Sequence, residues 1–550
     1  MVIENGEQEP LFLSGDSSGW FQQKLNRVLD KCLEFRSGPP LIKDRFPDRD
    51  EFRKLCSFSD RGEKLDDILS EFSTHIARHS VNFSSPQFLA HPDNGGSASA
   101  ILGDFASSLI NQNLVSHDYS PAATFLEFEL IQFLRRLVGF ETRDPENSSI
   151  LEAAGAFVFG GTSANYCGLH AARERLRARL REQGKVYNPR KVRVLANRPF
   201  THYSMRRSLH MLGLGNTDLS SEQRTELGVP EECLEPVATK NFKMDLDDLE
   251  RKIELVLSRG EEIMSIFAVA GDSRMMSFDD LVAIRKISDR YNLWVHVDAC
   301  EGGQCLFGRR QRKLFRGIEE MNSISLDPHK VLMLPYNLSL FLLRDIEDVK
   351  LVSIATTVIR LGEGSFGTIT PGIGSKNFMS LKLWFLLKHW GLETLANEID
   401  RRHDLAMYAA EKIKKSADMT LLNTEVEHNA VGFVYCPKER LPGMTVADLN
   451  VLNEQIHGYL NRESPYFVHL MGSRDDDYIL SNKGEMAVHL RMMFGNPHTT
   501  EADIDGCLEE ISIAGKIAFG DDYKSSECDT GALNVDLESQ RIPAPNRRDL

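Results

Sequence analysis

The chain has no CxxC pair. Its nine cysteines (Cys32, Cys56, Cys167, Cys233, Cys300, Cys305, Cys436, Cys507 and Cys528) are odd in number and irregular in spacing. That argues against a disulfide framework and points to reduced thiols; Cys300 and Cys305 read as small buried apolar residues. No apolar run reaches the roughly eighteen residues that a membrane helix needs, so no membrane partner is expected. Basic residues are also short: 65 Lys and Arg stand against 80 Asp and Glu, a formal net charge of -15. A nucleic-acid partner needs a basic footprint, and none is expected here. The first residues, Met1 to Glu7, are acidic and carry no signal-peptide pattern, which with the thiols predicts a cytoplasmic location. Neither an internal repeat nor a metal site is read from the sequence.

What the chain does have is length and alternation. With 550 residues, 41% of them hydrophobic, it has enough for two or three structural units. Strand-like runs at Ala156 to Phe159, Val192 to Leu195, Ser265 to Ala270 and Leu293 to Val297 alternate with helical patterns, such as that of Leu281, Ile284 and Ile287. The order predicts an α/β fold with a mostly parallel central sheet. Gly160-Gly161-Thr162-Ser163 lies between a strand and a long helix that runs to about Gln183. Backbone N–H groups, hydroxyls and a helix dipole would converge there on a phosphate, although the same run suits any tight turn with a cap. Ser37 to Asp50 is a Pro- and charge-rich connector, Leu65 to Phe72 a helix, and residues 521–550 read as disordered.

Two residues carry a chemical suggestion. Asp298 ends the strand-like Leu293-Trp294-Val295-His296-Val297, where open α/β sheets bind ligands; a turn or helix cap is the other reading. Lys330 closes Ser323-Ile324-Ser325-Leu326-Asp327-Pro328-His329-Lys330. A lysine amine condenses with an aldehyde, and an aspartate at a pyridine nitrogen keeps that ring protonated as an electron sink.

His296-Val297-Asp298-Ala299 followed by Asp327-Pro328-His329-Lys330 resembles the signature of the group II pyridoxal phosphate (PLP)-dependent amino-acid decarboxylases, and the resemblance runs from about Phe83 to Ile513. That group includes the glutamate, aromatic, cysteine-sulfinate and diaminobutyrate enzymes. The resemblance implies a fold-type I PLP-dependent enzyme, aspartate aminotransferase-like. It would have an N-terminal helical segment (1–95), a large PLP-binding domain (96–395), a smaller C-terminal α+β domain (396–517) and a tail (518–550). It implies a homodimer with shared active sites acting on an amino acid. Lys330 would hold PLP as a Schiff base, Asp298 would face the ring nitrogen, and His202 would stack on the ring. Gly161, Thr162 and Ser163 would hold the phosphate, with Ser273 and His329 also at the cofactor. His91 and Arg491 would touch the substrate, Arg491 at the α-carboxylate.

Two departures stand out. Asp272 replaces a threonine in the family's Gly-Thr-Thr, and no tyrosine lies between Tyr336 and Tyr408, where the family has a proton-donating one in a mobile loop. The nearest ring in the Gly-rich stretch Leu361 to Gly374 is Phe366. The expected reaction is decarboxylation to an amine and CO2. The alternatives are decarboxylation with oxidative deamination to an aldehyde, or a non-catalytic protein of the same fold. Asp93, Asp118 and Glu301 suggest a cationic substrate side chain such as that of diaminobutyrate; an acidic substrate would need a second cation beside Arg491, which the sequence does not locate.

Overall fold

The computed structural model describes residues 9–41, 48–58, 60, 62–144, 149–197, 202–215, 219–227, 233–353, 365–370, 374–437, 445–475, 479–480 and 484–519. Thr201, half of the stretch 361–374 and the tail from 520 lie outside them.

Among the described residues seven strands build the large sheet: β1 (Gly155–Val158), β2 (Val192–Asn197), β3 (Leu234–Val237), β6 (Glu262–Val269), β7 (Val295–Ala299), β8 (Ser323–Leu326) and β9 (Ser339–Leu343). A hairpin of β4 (Thr239–Lys240) and β5 (Lys243–Met244) sits apart from it. The order across the sheet is β1-β9-β8-β7-β6-β2-β3. Pairings from β8 to β3 are parallel, and β9 runs antiparallel to both of its neighbours. The central strands are buried along their length apart from Glu262 at the start of β6, as a parallel sheet covered on both faces requires. The helix Gly160–Glu182 lies over β1, β6, β7, β8 and β9, and the helix Leu246–Ser258 lies over β2, β3 and β6.

A second sheet is antiparallel, ordered β10 (Met419–Leu421), β11 (Ala430–Tyr435), β13 (Met486–Met493), β12 (His469–Arg474). It has its own apolar core with the helices Val446–Glu463 and Glu501–Phe519. The helix Leu381–Lys415 joins the two bodies and breaks at Gly391, whose φ of 67° and ψ of 169° are not helical. The position expected to divide the domains, 395/396, lies inside this helix, just past the break. Ahead of the large sheet come the helices Ser18–Arg36, Arg49–Leu55 and Leu65–Glu71.

Candidate active site

The site grows from two neighbouring strands that alternate in the same way. β7 reads Val295-His296-Val297-Asp298-Ala299 and β8 reads Ser323-Ile324-Ser325-Leu326; the register sets His296 beside Ser323 and Asp298 beside Ser325. Side chains two apart share a face, so one face of this pair is polar although every residue in it is buried. Buried polar groups need partners. The covering helix supplies one in Asn165. Its Nδ2 donates to Asp298 Oδ2 at 2.8 Å and to Ser204 Oγ at 2.9 Å, and its Oδ1 accepts from Ser325 Oγ at 2.5 Å. Turning the amide over would set its oxygen against the Asp298 carboxylate, so only this orientation is satisfied. His296 Nε2, 2.9 Å from Asn165 Oδ1, therefore carries the imidazole proton. Its Nδ1 accepts from Ser323 Oγ at 2.8 Å, and Ser323 accepts from Trp294 Nε1 at 2.9 Å. Burial keeps His296 neutral by pushing its pKa down to about 4.

Asp298 also accepts from the Cys300 backbone N–H at 3.1 Å. Burial opposes its charge, but attraction to His202 and the hydrogen bonds from Cys300 and Asn165 outweigh that and hold the carboxyl below its ordinary range. His202 caps the helix Tyr203–Met211, with Nδ1 2.9 Å from Ser204 Oγ. Burial lowers its pKa against the pull of Asp298, and Lys330 and Asp327 act on it as well, so His202 lies in the field of both ends of the site.

Lys330 follows β8 on the short helix Pro328–Val331. Its Nζ is 3.0 Å from Asp327 Oδ2 and 3.7 Å from Glu301 Oε1. Burial alone would favour the neutral amine, yet Asp327 and Glu301 together hold it as an ammonium, with its pKa well above the ordinary lysine range. Asp327 Oδ1 accepts from Ser339 Oγ at 2.5 Å, and His329 donates from Nδ1 to the Leu338 carbonyl at 2.8 Å. The start of the covering helix sits directly on this group. A Cβ at Gly161 would come 2.6 Å from Asp327 Oδ2 and 2.7 Å from Cys300 Sγ, so only glycine fits.

Arg491, from β13, also acts on Glu301. Its Nη atoms donate to the carbonyls of Ser273 and Ala90, and Nη2 is 3.3 Å from His469 Nδ1. His91 Nδ1 is 3.3 Å from Asp93 Oδ2, and its ring centre is 4.6 Å from that of His469. Buried atoms here without a hydrogen-bond partner include Glu301 Oε2, Asp93 Oδ1 and Arg491 Nε, and Asp327 Oδ2 beside Lys330 and both ring nitrogens of His489 are others.

The family description "Pyridoxal-dependent decarboxylase conserved domain" matches residues 50–436. The chain belongs to this family. Cysteine sulfinic acid decarboxylase of Mus musculus is 27% identical over 464 residues, covering 83% of this chain and 87% of that protein. Mouse CSAD in its apo form has the same fold, with a TM-score of 0.76, 24% identity and coverage of 91% of this chain and 99% of that one. Oryza sativa TDC with PLP has a TM-score of 0.76 at 20% identity, covering 94% and 100%.

The residues present fit the family's cofactor: a part-buried lysine amine, a carboxylate held ionised in a buried network, and a glycine-opened helix start at one end of the sheet. The structure brings together Lys330, His329, Asp298, His202 and Gly161 as described. Thr162 and Ser163 lie in the first turn of that helix, but the Ser163 hydroxyl donates to the Phe159 carbonyl at 2.7 Å. Ser273 presents its carbonyl to Arg491, while His91 and Arg491, like Lys330, act electrostatically on Glu301. Asp118 does not join Asp93 and Glu301; its side chain is 78% exposed and lies 3.6 Å from His117. Phe366 is wholly buried, with Lys376 Nζ 4.6 Å from its ring centre, so it is a core residue and not a ring on a loop. Asp272 has a structural use: it accepts from the backbone of Arg274, Met275 and Ser277 and from the Ser277 hydroxyl, closing the turn after β6.

Sequence reasoning missed Asn165, Ser204 and Ser325, whose hydroxyls and amide matter only once the helix is laid on the strands. It also missed Arg274. This second cation acts on both His202 and Arg491 and stands only one residue beyond Ser273.

Proposed function

We propose that this family member removes CO2 from the α-carbon of an L-amino acid and returns the amine, with Lys330 holding the cofactor's aldehyde. The observation that carries the reading is the part-buried Lys330 ammonium, its side chain 21% exposed, placed with the ionised Asp298 at the carboxyl ends of adjacent parallel strands. PLP supplies an aldehyde for that amine and a ring that accepts the electron pair left at the α-carbon. In this reading Asp298 keeps the ring nitrogen protonated, and the network of Asn165, Ser325 and Cys300 holds its oxygens in place. His202 lies over the ring, and the helix start at Gly161, Thr162 and Ser163 receives the phosphate. Arg491 orients the substrate carboxylate through its unpartnered Nε, and His91 borders the substrate. The burial of Phe366 counts against the ring that suggested an aldehyde-forming enzyme, while the missing tyrosine between Tyr336 and Tyr408 stands.

Purified protein should show the absorbance band of a lysine-bound cofactor, absent in Lys330→Ala, and should release CO2 from at least one of a panel of acidic, aromatic and cationic amino acids. A wild type that stays colourless with excess PLP refutes the reading. We also propose a homodimer: Leu102, Ile110, Tyr119 and Phe125 expose apolar side chains on neighbouring elements. Sedimentation of an active monomer would count against that.

A further inference from the structure

Resting on that reading and deepening it, we infer that Glu301 is the acid that delivers a proton to the substrate α-carbon once CO2 has left. The reaction needs such a donor, since the C–C bond leaves its electron pair on carbon. The chain offers no tyrosine between Tyr336 and Tyr408, and Phe366 is buried and has no proton to give. Among the described residues Glu301 combines the required features. It is 9% exposed, its Oε1 is 3.7 Å from Lys330 Nζ, and its Oε2 has no hydrogen-bond partner. A substrate amine joined to the cofactor would stand near the present place of Nζ, and its α-carbon would lie one covalent bond away, within reach of Glu301. Asp327, the other carboxylate beside Nζ, already accepts from Ser339 through Oδ1 and lies closer to the ammonium, at 3.0 Å. Tyr203 and Tyr336 are 57% and 50% exposed.

Electrostatics support the assignment. Burial raises the Glu301 pKa; Lys330, Arg491 and His91 pull it down, and Asp93 pushes it up. Those four are the groups that face it. Lys330 is the strongest of the lowering influences, but burial outweighs it and holds the Glu301 pKa above the ordinary carboxylate range, which favours the protonated acid. In the step itself the bond from the α-carbon to the carboxylate breaks and CO2 leaves. The Glu301 O–H bond then breaks as a C–H bond forms, leaving Glu301 as a carboxylate that regains a proton from water. No oxidant is consumed.

The test compares PLP-loaded wild type, Glu301→Gln and Glu301→Asp. Infrared difference spectra on cofactor binding should show a protonated carboxylic acid in the wild type that is lost in Glu301→Gln. That variant should keep the cofactor band but lose about a hundredfold or more in kcat, the usual share of general acid catalysis. During turnover it should accumulate a long-wavelength cofactor absorbance, with the solvent deuterium effect of the wild type altered. Glu301→Asp, which keeps an acid one methylene shorter, should recover part of the rate; it carries the test if the glutamine variant fails to fold. A Glu301→Gln enzyme with wild-type kcat and isotope effect, or an unchanged infrared signal, overturns the donor and leaves the decarboxylase reading standing. Absence of CO2 release by the wild type overturns that reading itself.

Discussion

The two ends of the site are built on opposite plans. Around Asp298 the buried polar groups pair with one another: Asn165 uses both ends of its amide, His296 both nitrogens, and Ser323 and Ser325 their hydroxyls. Around Glu301 the reverse holds, and Asp93 Oδ1, Glu301 Oε2 and Arg491 Nε are buried with nothing to bond. An unpaired buried polar atom costs about 1–3 kcal/mol. Carrying several in one place makes sense where a ligand completes them. The saturated end is a rigid seat for an unchanging ring, and the unsaturated end is a receptacle for a molecule that comes and goes.

The sharpest way to break this contrast is Asp298→Asn. Asparagine keeps the shape, and one of its ends still matches the Asn165 amide, so the fold should survive and the cofactor band should persist. The charge that keeps the ring protonated is gone. Removing one preorganised electrostatic contact at a reacting centre costs about a hundredfold to a thousandfold in kcat, and that loss should appear in kcat with KM little changed. Steady-state kinetics of the variant that instead showed a rise in KM alone would mean that Asp298 belongs to the receptacle.

The next effect tests whether the seat is held by neutral partners. His296 is protonated in the unfolded chain below its ordinary value of 6.5, but in the fold burial delays this to about 4. Between these values the unfolded state binds more protons, so stability rises with pH and is lost as pH falls from 6.5 toward 4. The shift corresponds to roughly 3 kcal/mol for this single group. His489, buried and pushed down to about 3, steepens the same acid limb. Urea midpoints measured from pH 7 down to pH 4 should fall more steeply for the wild type than for His296→Gln. Equal slopes would show that His296 gains its proton in the native state without disrupting Asn165.

Much of the saturated end was legible because it is written in local pattern. A strand ending in Asp298, a glycine-rich turn before a long helix, and Asp327-Pro328-His329-Lys330 are contiguous runs. Asn165 was not legible, since a helical asparagine gains its meaning only from the register of β7 and β8 beneath it. β3 escaped notice for a different reason: Leu234-Glu235-Pro236-Val237 is short and holds a proline, which a sheet tolerates only at an edge, where β3 lies. The direction of β9 was equally hidden, because a buried apolar run reads the same either way along the sheet. The open end drew its members from far apart, with Asp93, Glu301 and Arg491 on three separate parts of the chain. Burial, which no single run displays, is what turned Phe366 from an apparent loop residue into core.

The smallest effect concerns the departure at position 272. Asp272 accepts four hydrogen bonds within its turn, and that turn carries the Ser273 carbonyl to which Arg491 donates. The threonine usual in the family has one hydroxyl oxygen and cannot receive all four donors. Asp272→Thr should therefore cost about 1 kcal/mol of stability, as loss of a capping acceptor does. The loosened turn also slackens one of the two carbonyls gripping the guanidinium. Arg491 belongs to the receptacle and not to the seat, so KM should rise a few-fold while kcat and the cofactor band hold. A variant that is destabilised with KM unmoved would separate the turn from the receptacle; one that loses kcat would tie Arg491 to the reacting centre itself.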